Sequence, residues 1–389
     1  MNISYFLVPL FLVSILVSSA LSPVLSLFLC VILSTYIPKV RSNFFILLLL
    51  FIISFNFAVI YSGKNFYGGA TDFGIYYQFY QSILNSKLDN FFDPFINNSS
   101  HFEPLYYFLN FILANTFGDL TEVQFSIVMN MICIYGLSIS SFIYISKFNI
   151  ENILFLIVIS IFISKIGSIT LFWRQSLAAI FIILFLYKKN NLERLIYLMI
   201  ATGFHLSSII VAPLCYLILN NKTFNGKLRK SIIATLISIS ILWPVFGKEI
   251  LVTIVKTIGL SSNTFFINNM DYPYFLDTIK TIIFSIPILI LYLIQNIGKP
   301  KSLLYNTLLL EILILISIST IPHSFRIIYP ISTILIYIHT SLLLIKLNSQ
   351  FFIFGLFFIF IVNLMRLTSS DLYYQIPLYS TTPFYYFYG

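Results

Sequence analysis

Residues 43–61 read NFFILLLLFIISFNFAVIY, a stretch without a single charged side chain. A helix that crosses a bilayer needs about 20 mostly apolar residues, so this stretch predicts a transmembrane helix. Similar runs recur along the chain and predict an all-α, polytopic membrane protein. The eleven predicted spans are residues 4–21, 23–38, 43–61, 124–146, 150–164, 169–187, 231–246, 278–297, 303–321, 326–345 and 349–365.

The composition of the whole chain supports the same prediction. Of its 389 residues, 59% are hydrophobic and only 9% are charged, whereas a soluble domain carries roughly a quarter charged residues. The spans leave no length for a Rossmann fold, a P-loop ATPase or a nucleic-acid-binding module. We therefore expect a single transmembrane domain over residues 1–389, with membrane lipids and no nucleic acid among its partners.

Two apolar segments do not fit a simple span. Residues 105–117 are too few to cross the bilayer comfortably, so we predict an interfacial helix on the outer side. Residues 195–219 are too many for one span and are interrupted at Thr202-Gly203-Phe204-His205, which predicts a hairpin with His205 at its outer tip. Non-helical backbone at membrane depth must be buried in protein or line a wet cavity, so the hairpin predicts a polar cavity there.

Lysine and arginine residues in short loops indicate the orientation, because such loops stay on the cytoplasmic side. Lys39 and Arg41 follow the second span, which places the N-terminus inside. The outer side then receives loops 62–123 and 247–277 and a tail at 366–389. Most basic residues fall in the inside loops, so the net charge of +9 marks the cytoplasmic face and not a surface for a polyanion.

Two arginines stand at the outer ends of predicted spans. Arg174, which precedes Gln175, can donate two hydrogen bonds to a phosphate or carboxylate. Alternatively it extends to the lipid headgroups, with Trp173 as an interfacial anchor. Arg326, with Tyr329 one helical turn away, has the same two interpretations, an anion-binding group or a headgroup contact.

The interrupted segment at residues 195–219 and the outer loop at residues 62–123 contain further candidate site residues. His205 either donates a proton or binds a pyrophosphate oxygen, or it satisfies the broken backbone of the hairpin. In the loop, Asp72, Tyr76 and Tyr80 share one face if the segment is helical. Aromatic rings beside a carboxylate suit a sugar, although an amphipathic helix with an interfacial tyrosine belt has the same pattern.

Two other carboxylates precede or interrupt apolar runs. Glu103 stands directly before Pro104, so an acidic residue at a helix N-terminus is an alternative to a role in binding. Glu311 lies well inside a span and is either a proton or ion site or the structural partner of an arginine or hydroxyl; the absence of a second intramembrane carboxylate favours the structural role. We expect no metal and no other cofactor, because the cysteines share no metal-like spacing. They are Cys30, Cys133 and Cys215.

Five motifs, taken in chain order, resemble the EpsG family, which groups with Wzy-type O-antigen and exopolysaccharide repeat-unit polymerases. They are Gly69-x-x-Asp72-x-x-x-Tyr76, Glu103-Pro104-Leu105-Tyr106, Arg174-Gln175-Ser176-Leu177-Ala178, Phe204-His205-Leu206-Ser207 and Phe325-Arg326-Ile327-Ile328-Tyr329. The resemblance implies a GT-C-like enzyme of the bacterial inner membrane. Such an enzyme joins oligosaccharide repeat units carried on undecaprenyl diphosphate at the periplasmic face, without a nucleotide-sugar donor.

The resemblance also implies roles for single residues. Arg174 and Arg326 would bind the diphosphate leaving group, His205 would contact the diphosphate or transfer a proton, and Asp72 or Glu103 would act as base or bind sugar. Tyr76, Gln175 and Tyr329 would complete the substrate-binding set. The implied partners are the lipid-linked donor and acceptor, a chain-length regulator and a flippase.

Two rival functions stay open from the sequence. One is a flippase or transporter of lipid-linked oligosaccharides, which predicts repeat symmetry and short loops on both sides. The other is a ligase or single-sugar transferase that uses polyprenyl-linked sugars and would need the same anion-binding groups.

Overall fold

The computed structural model describes residues that cover most of the predicted spans. They are residues 4–36, 43–62, 72–85, 103–148, 150–219, 231, 234–235, 238, 275–298, 302–318 and 328–368. Within these ranges every regular element is helical and no strand occurs. The prediction of an all-α chain is confirmed for them.

The described residues divide into two compact units. The first contains the residues up to Ile209 and those from Phe360 onward, and the second contains Ile210 to Ile359. In chain order the helices are α1 (Ser4–Leu21), α2 (Pro23–Tyr36), α3 (Asn43–Ile60), α4 (Asp72–Asn85), α5 (Pro104–Phe117), α6 (Glu122–Ser146), α7 (Ile153–Ile163), α8 (Ile166–Leu171), α9 (Trp173–Tyr187), α10 (Asn191–Phe204), α11 (Ser208–Leu219), α12 (Phe275–Ile282), α13 (Ser285–Gln295), α14 (Leu303–Ile318), a π-helical turn (Ile331–Leu335), α15 (Ile336–Leu344) and α16 (Ser349–Thr368).

The helices follow the apolar runs of the sequence. Ten of the eleven predicted runs coincide with described helices, and the run at 231–246 lies largely outside the described residues. By length and composition, helices α3 and α6 are each long and apolar enough to cross a membrane. The number of crossings and their orientation stay predictions.

Two predicted spans are broken into pairs of helices. Residues 278–297 divide between α12 and α13, because the ring of Pro287 would collide with the carbonyl of Ile283 in a continuous helix. Residues 169–187 divide at Phe172, whose backbone is not helical (φ −112°, ψ 65°). The hydroxyl of Ser176 donates a hydrogen bond of 2.8 Å to the carbonyl of Ile169 across this break.

Polar contacts join the first three helices. The Asn56 amide nitrogen of α3 donates hydrogen bonds to the hydroxyls of Ser19 in α1, at 3.1 Å, and Ser26 in α2, at 3.0 Å. All three side chains are buried. Buried polar groups need hydrogen-bond partners. The two hydrogen bonds of Asn56 therefore favour one register of the three apolar helices.

Helices α5, α9 and α10 lie close together in the first unit. Helix α9 packs on α6 and α10, and α5 packs on α4 and α10. A Cβ atom at Gly203 of α10 would lie only 2.8 Å from Leu105 Cγ of α5, so glycine permits this approach. A Cβ at Gly136 of α6 would similarly collide with the Ile180 side chain of α9.

The second unit has its own buried polar pairs. The hydroxyls of Ser285 in α13 and Thr340 in α15 are 2.7 Å apart. Glu311 of α14 and His339 of α15 pair through Oε1 and Nδ1 at 2.8 Å, and both side chains are buried. The partner of the intramembrane carboxylate is thus an imidazole, whereas the sequence indicates an arginine or a hydroxyl.

Candidate active site

The carboxylate of Glu103 joins a residue of α9 to the residue that directly follows α10. Its Oε2 accepts a hydrogen bond of 2.7 Å from Nη1 of Arg174, and its Oε1 lies 2.6 Å from Nδ1 of His205. The side chain is only 7% exposed and makes no capping hydrogen bond to α5, which begins at Pro104. Glu103 therefore holds Arg174 and His205 together and does not cap its own helix.

Arg174 is fixed by the start of α9. Because the helix begins anew after Phe172, Arg174 is its second residue and follows the fully buried Trp173. The indole nitrogen of Trp173 donates a hydrogen bond of 2.8 Å to Oδ1 of Asn130 in α6. This buried bond anchors the first turn of α9 and so limits where the guanidinium can reach.

The guanidinium also contacts an aromatic cluster. Its Nε donates a hydrogen bond of 3.2 Å to the Tyr76 hydroxyl of α4, and its carbon lies 5.2 Å from the centre of the Tyr76 ring. The Tyr76 ring packs against Trp173 and Tyr106. The described contacts use two of the five N–H donors of Arg174, and its side chain is 19% exposed, so further donors can meet an anion.

His205 occupies the predicted interruption. Helix α10 ends at Phe204, and His205 has an extended backbone before α11 begins at Ser208. The ring is 22% exposed, and its Nε2 lies 3.3 Å from the amide nitrogen of Gln175. Both ring nitrogens of His205 thus have a polar partner, Glu103 at Nδ1 and Gln175 at Nε2.

The charges of this cluster balance. Burial raises the pKa of Glu103, but the hydrogen bond from His205 and the positive charge of Arg174 outweigh it, and the pKa lies below its ordinary value. Glu103 is therefore an ionised carboxylate at neutral pH, opposite the guanidinium of Arg174. The negative charge of Glu103 and the positive charge of Arg174 therefore cancel.

The other predicted site residues lie in different places. Asp72 is the first residue of α4, one helical turn before Tyr76, but its side chain lies outside the described residues, as does the whole of Arg326. Tyr329 is buried in the second unit, where its carbonyl accepts a hydrogen bond of 2.6 Å from the Thr333 hydroxyl. The structure thus brings Glu103, Arg174, His205, Tyr76 and Gln175 together, and their chemical roles stay predictions.

Two further polar residues of the structure were not expected from the sequence. Asn130 orients Trp173, and His339 pairs with Glu311 in the second unit. Both are polar residues within apolar helices, which is the one signal that marks them in the sequence. Among the described residues no group of three or more His, Cys, Asp or Glu side chains could hold a metal ion.

Comparison with known proteins gives one match. The model of the EpsG family matches residues 48–381, a range that includes Glu103, Arg174 and His205. No curated protein and no solved structure is a match.

Proposed function

The chain belongs to the EpsG family, and we propose that it is a glycosyltransferase that polymerises oligosaccharide repeat units carried on undecaprenyl diphosphate. The product is an O-antigen, a capsular polysaccharide or an exopolysaccharide. The site faces the periplasm of the bacterial inner membrane. The observation that carries the proposal is the Glu103 carboxylate, which holds an arginine and a histidine side by side at a partly exposed position.

The proposed reaction sets two demands on the protein. A hydroxyl of the acceptor unit attacks the anomeric carbon of the donor, and the bond from that carbon to the diphosphate breaks. Negative charge develops on the departing lipid diphosphate, so donors fixed in place are needed there. The attacking hydroxyl loses its proton, so a base is also needed.

Arg174 meets the first demand, and His205 beside it is proposed as a second residue of the diphosphate site. A guanidinium donates paired hydrogen bonds to phosphate oxygens, and the anchored first turn of α9 holds Arg174 in one place. Glu103 is a positioning residue in this proposal, since it fixes both side chains before the substrate arrives. Preorganised donors stabilise a transition state more than donors that must first reorganise.

Asp72 is the proposed base. Glu103 is poorly suited to this role, because both of its oxygens are engaged and its pKa lies below the ordinary value. Asp72 begins the helix whose Tyr76 contacts Arg174, which brings its backbone within one helical turn of the cluster. Arg326 is a second proposed contact for the diphosphate.

A deletion and complementation experiment tests the function. We expect a strain without the gene to lose its long-chain polysaccharide ladder on a gel and to display single repeat units at the cell surface. Wild-type protein should restore the ladder and Arg174→Gln should not. Lys188→Gln is the matched control, because it removes a positive charge that pairs only with the surface residue Glu193 among the described contacts.

The rival functions predict other results. A flippase would trap the lipid-linked unit on the inner side of the membrane when the gene is removed. A ligase or single-sugar transferase would leave the polymer itself intact. A normal ladder in the deletion strain would contradict the proposed polymerase.

A further inference from the structure

Helices α9 and α10, which carry Arg174 and lead to His205, are short for a bilayer. Helix α9 has 15 residues and α10 has 14. At 1.5 Å per residue each is about 21–23 Å long, whereas the hydrocarbon core of a bilayer is about 30 Å thick. A tilt would shorten the distance that either helix spans across the membrane. The pair therefore falls short of the hydrocarbon core by about 8 Å.

Polar groups are fixed at both ends of this pair of helices. At one end the carboxylate of Glu103 holds Arg174. At the other end Nζ of Lys188 lies 2.9 Å from Oε2 of Glu193, and Nε of Arg194 donates a hydrogen bond of 2.8 Å to the Lys188 carbonyl. Basic side chains can extend from a helix toward the headgroups, but these contacts hold both guanidinium groups close to the helix ends. The 14 residues from Arg174 to Lys188 correspond to about 21 Å.

One face of α10 is open to lipid. The opposite face packs on α9, where the rings of Tyr197 and Phe204 contact the ring of Phe181. Leu195 and Met199 lie on the open face and are 51% and 58% exposed. An exposed apolar surface at membrane depth meets lipid chains, so the lipids beside α10 experience its short length directly.

Helix α5 indicates the level of one headgroup layer. It begins directly after Glu103 and packs on α10, where Leu105 meets Gly203. Phe108 and Ile112 are one helical turn apart and both exposed. This pattern suits the predicted interfacial helix, whose apolar face enters the boundary between headgroups and lipid chains. A headgroup layer at the start of α5 is also a headgroup layer at Glu103.

We propose that the bilayer is thinned where it meets α9 and α10, so that the headgroup layer on that side reaches the cluster of Glu103, Arg174 and His205. Lipids adapt to a short apolar stretch by local thinning at a modest cost, whereas fixed charges inside the hydrocarbon are expensive. The inference rests on the proposed function, because the diphosphate of a lipid-linked substrate lies in the headgroup layer. In a thinned bilayer this diphosphate meets Arg174 without entering the hydrocarbon.

Spin labels along α10 measure the local thickness. Asn191→Cys and Leu206→Cys are made singly in the full chain, which is then reconstituted in dioleoyl phosphatidylcholine vesicles. Both positions are exposed, and the three native cysteines are buried. Collisions with oxygen, which concentrates in hydrocarbon, and with a nickel chelate, which stays in water, give the depth of each label. We expect both labels at headgroup level, about 22 Å apart, and a label at Met199→Cys in the hydrocarbon.

Helix α6 provides the matched control. It has 25 residues and is therefore about 37 Å long, more than the hydrocarbon thickness. Labels at Glu122→Cys and Ser146→Cys, two exposed positions at its ends, should read headgroup level or water. If they do so while a label at residue 191 or 206 lies several ångströms inside the hydrocarbon, the bilayer is not thinned and the inference is overturned.

The rate of polymer synthesis should depend on bilayer thickness. Wild-type protein is reconstituted in phosphatidylcholines with monounsaturated chains and is supplied with the lipid-linked repeat unit extracted from the deletion strain. We expect the rate to fall about tenfold as the chains lengthen from about 14 to about 22 carbons, because the cost of the mismatch grows with each ångström.

The remaining outcomes separate the inference from the proposed function. A water-filled cavity lined by protein would also admit the nickel chelate to residue 206, but it predicts a rate that does not change with chain length. Such a flat profile would overturn the thinning and leave the proposed function standing. No polymer in any bilayer would contradict the proposed function, and the spin labels would still decide whether the bilayer is thinned.

Discussion

At the residue scale, Glu103 organises the candidate site. The sequence marks each participant, because polar and charged residues are rare in so apolar a chain and stand out. The pairing itself is not visible there: Glu103 is 71 residues from Arg174 and 102 from His205. Contacts of that separation depend on how the helices pack, so the interpretation of Glu103 as a helix-terminal residue was equally open from the sequence.

Glu103→Gln should abolish most of the activity while the protein stays folded. The amide keeps the shape of the side chain but loses the negative charge. Its NH2 group cannot accept a hydrogen bond, so one of the two contacts, to Arg174 or to His205, is lost. Loss of charge-assisted hydrogen bonds of this kind costs about 1.5–3 kcal/mol each, so we expect chain formation to fall by about 100-fold. The initial rate of polymer synthesis in isolated membranes measures this fall.

The matched control for this variant is Glu193→Gln. Glu193 forms an ion pair with Lys188, but both side chains are substantially exposed, and exposed pairs contribute little. The control should retain the wild-type rate. A Glu103→Gln protein that polymerises within twofold of the control would show that the carboxylate does not organise the site.

The pKa of Glu103 also predicts how stability depends on pH. A carboxylate whose pKa is lowered by folding stabilises the native state above its ordinary pKa of 4.5, and this stabilisation is lost as the pH falls through the lower, native value. The wild type should therefore have a higher melting temperature than Glu103→Gln at neutral pH, and the gap should narrow below about pH 4.5. Thermal unfolding in detergent across pH checks this, and a gap that widens in acid would contradict the assigned charge.

At the element scale, helix ends and breaks place the functional groups. Pro104 and Pro287 mark a helix start and a break that can be recognised in the sequence. The break at Phe172 cannot, since neither proline nor glycine stands there, and it is stabilised by tertiary contacts such as the bond from Ser176 to Ile169. That break nevertheless determines where Arg174 lies.

Gly203→Ala should separate α10 from α5. The added Cβ would lie 2.8 Å from Leu105 Cγ, so Leu105 and the start of α5 must shift, and Glu103 with them. Overpacking of this kind lowers the free energy of unfolding by about 1–3 kcal/mol. The higher helix propensity of alanine than of glycine raises it by about 1 kcal/mol. We expect lower activity and unchanged or lower stability, measured by polymer synthesis and thermal unfolding.

Gly74→Ala in α4 is the matched control, because nothing lies within 4 Å of its added Cβ. It should keep the activity and raise stability slightly. Gly203→Ala combined with Leu105→Ala should recover activity, because the colliding side chain is removed. Full activity in the single Gly203→Ala variant would show that the α5–α10 contact does not position the site.

The pair between α14 and α15 predicts a stability effect in the second unit. Glu311→Ala leaves the buried His339 without its described partner, and removal of one member of a buried pair costs about 3–5 kcal/mol. Glu311→Gln should cost much less, since the amide oxygen still accepts from Nδ1–H. Thermal unfolding of both variants checks the difference, and equal melting temperatures would contradict the pairing.

At the scale of the whole molecule, the apolar runs of the sequence predict the helices, and the basic loops predict an orientation in the membrane. The runs predict the helices well, because a segment of about 20 apolar residues has few alternatives to a helix in a bilayer. They do not predict the division into two compact units, which depends on contacts distant in the chain. The orientation depends on the distribution of lysine and arginine and stays a prediction.

Single cysteines at Asp119 and Asn190 test that orientation. Both residues are exposed, and the native cysteines Cys30, Cys133 and Cys215 are buried. Asp119 lies in the predicted outer loop and Asn190 between helices α9 and α10 on the predicted inner side. In intact spheroplasts a maleimide that does not cross membranes should label Asp119→Cys and leave Asn190→Cys unlabelled; the reverse pattern would invert the proposed topology.

In the proposed function, the cluster of Glu103, Arg174 and His205 joins lipid-linked repeat units. The most direct measurement supplies the purified protein in liposomes with one lipid-linked repeat unit as both donor and acceptor and separates the products by length on a gel. We expect a ladder of chains from wild-type protein and from Glu193→Gln, and unreacted single units from Arg174→Gln and Glu103→Gln. A ladder of normal length from both cluster variants would contradict it.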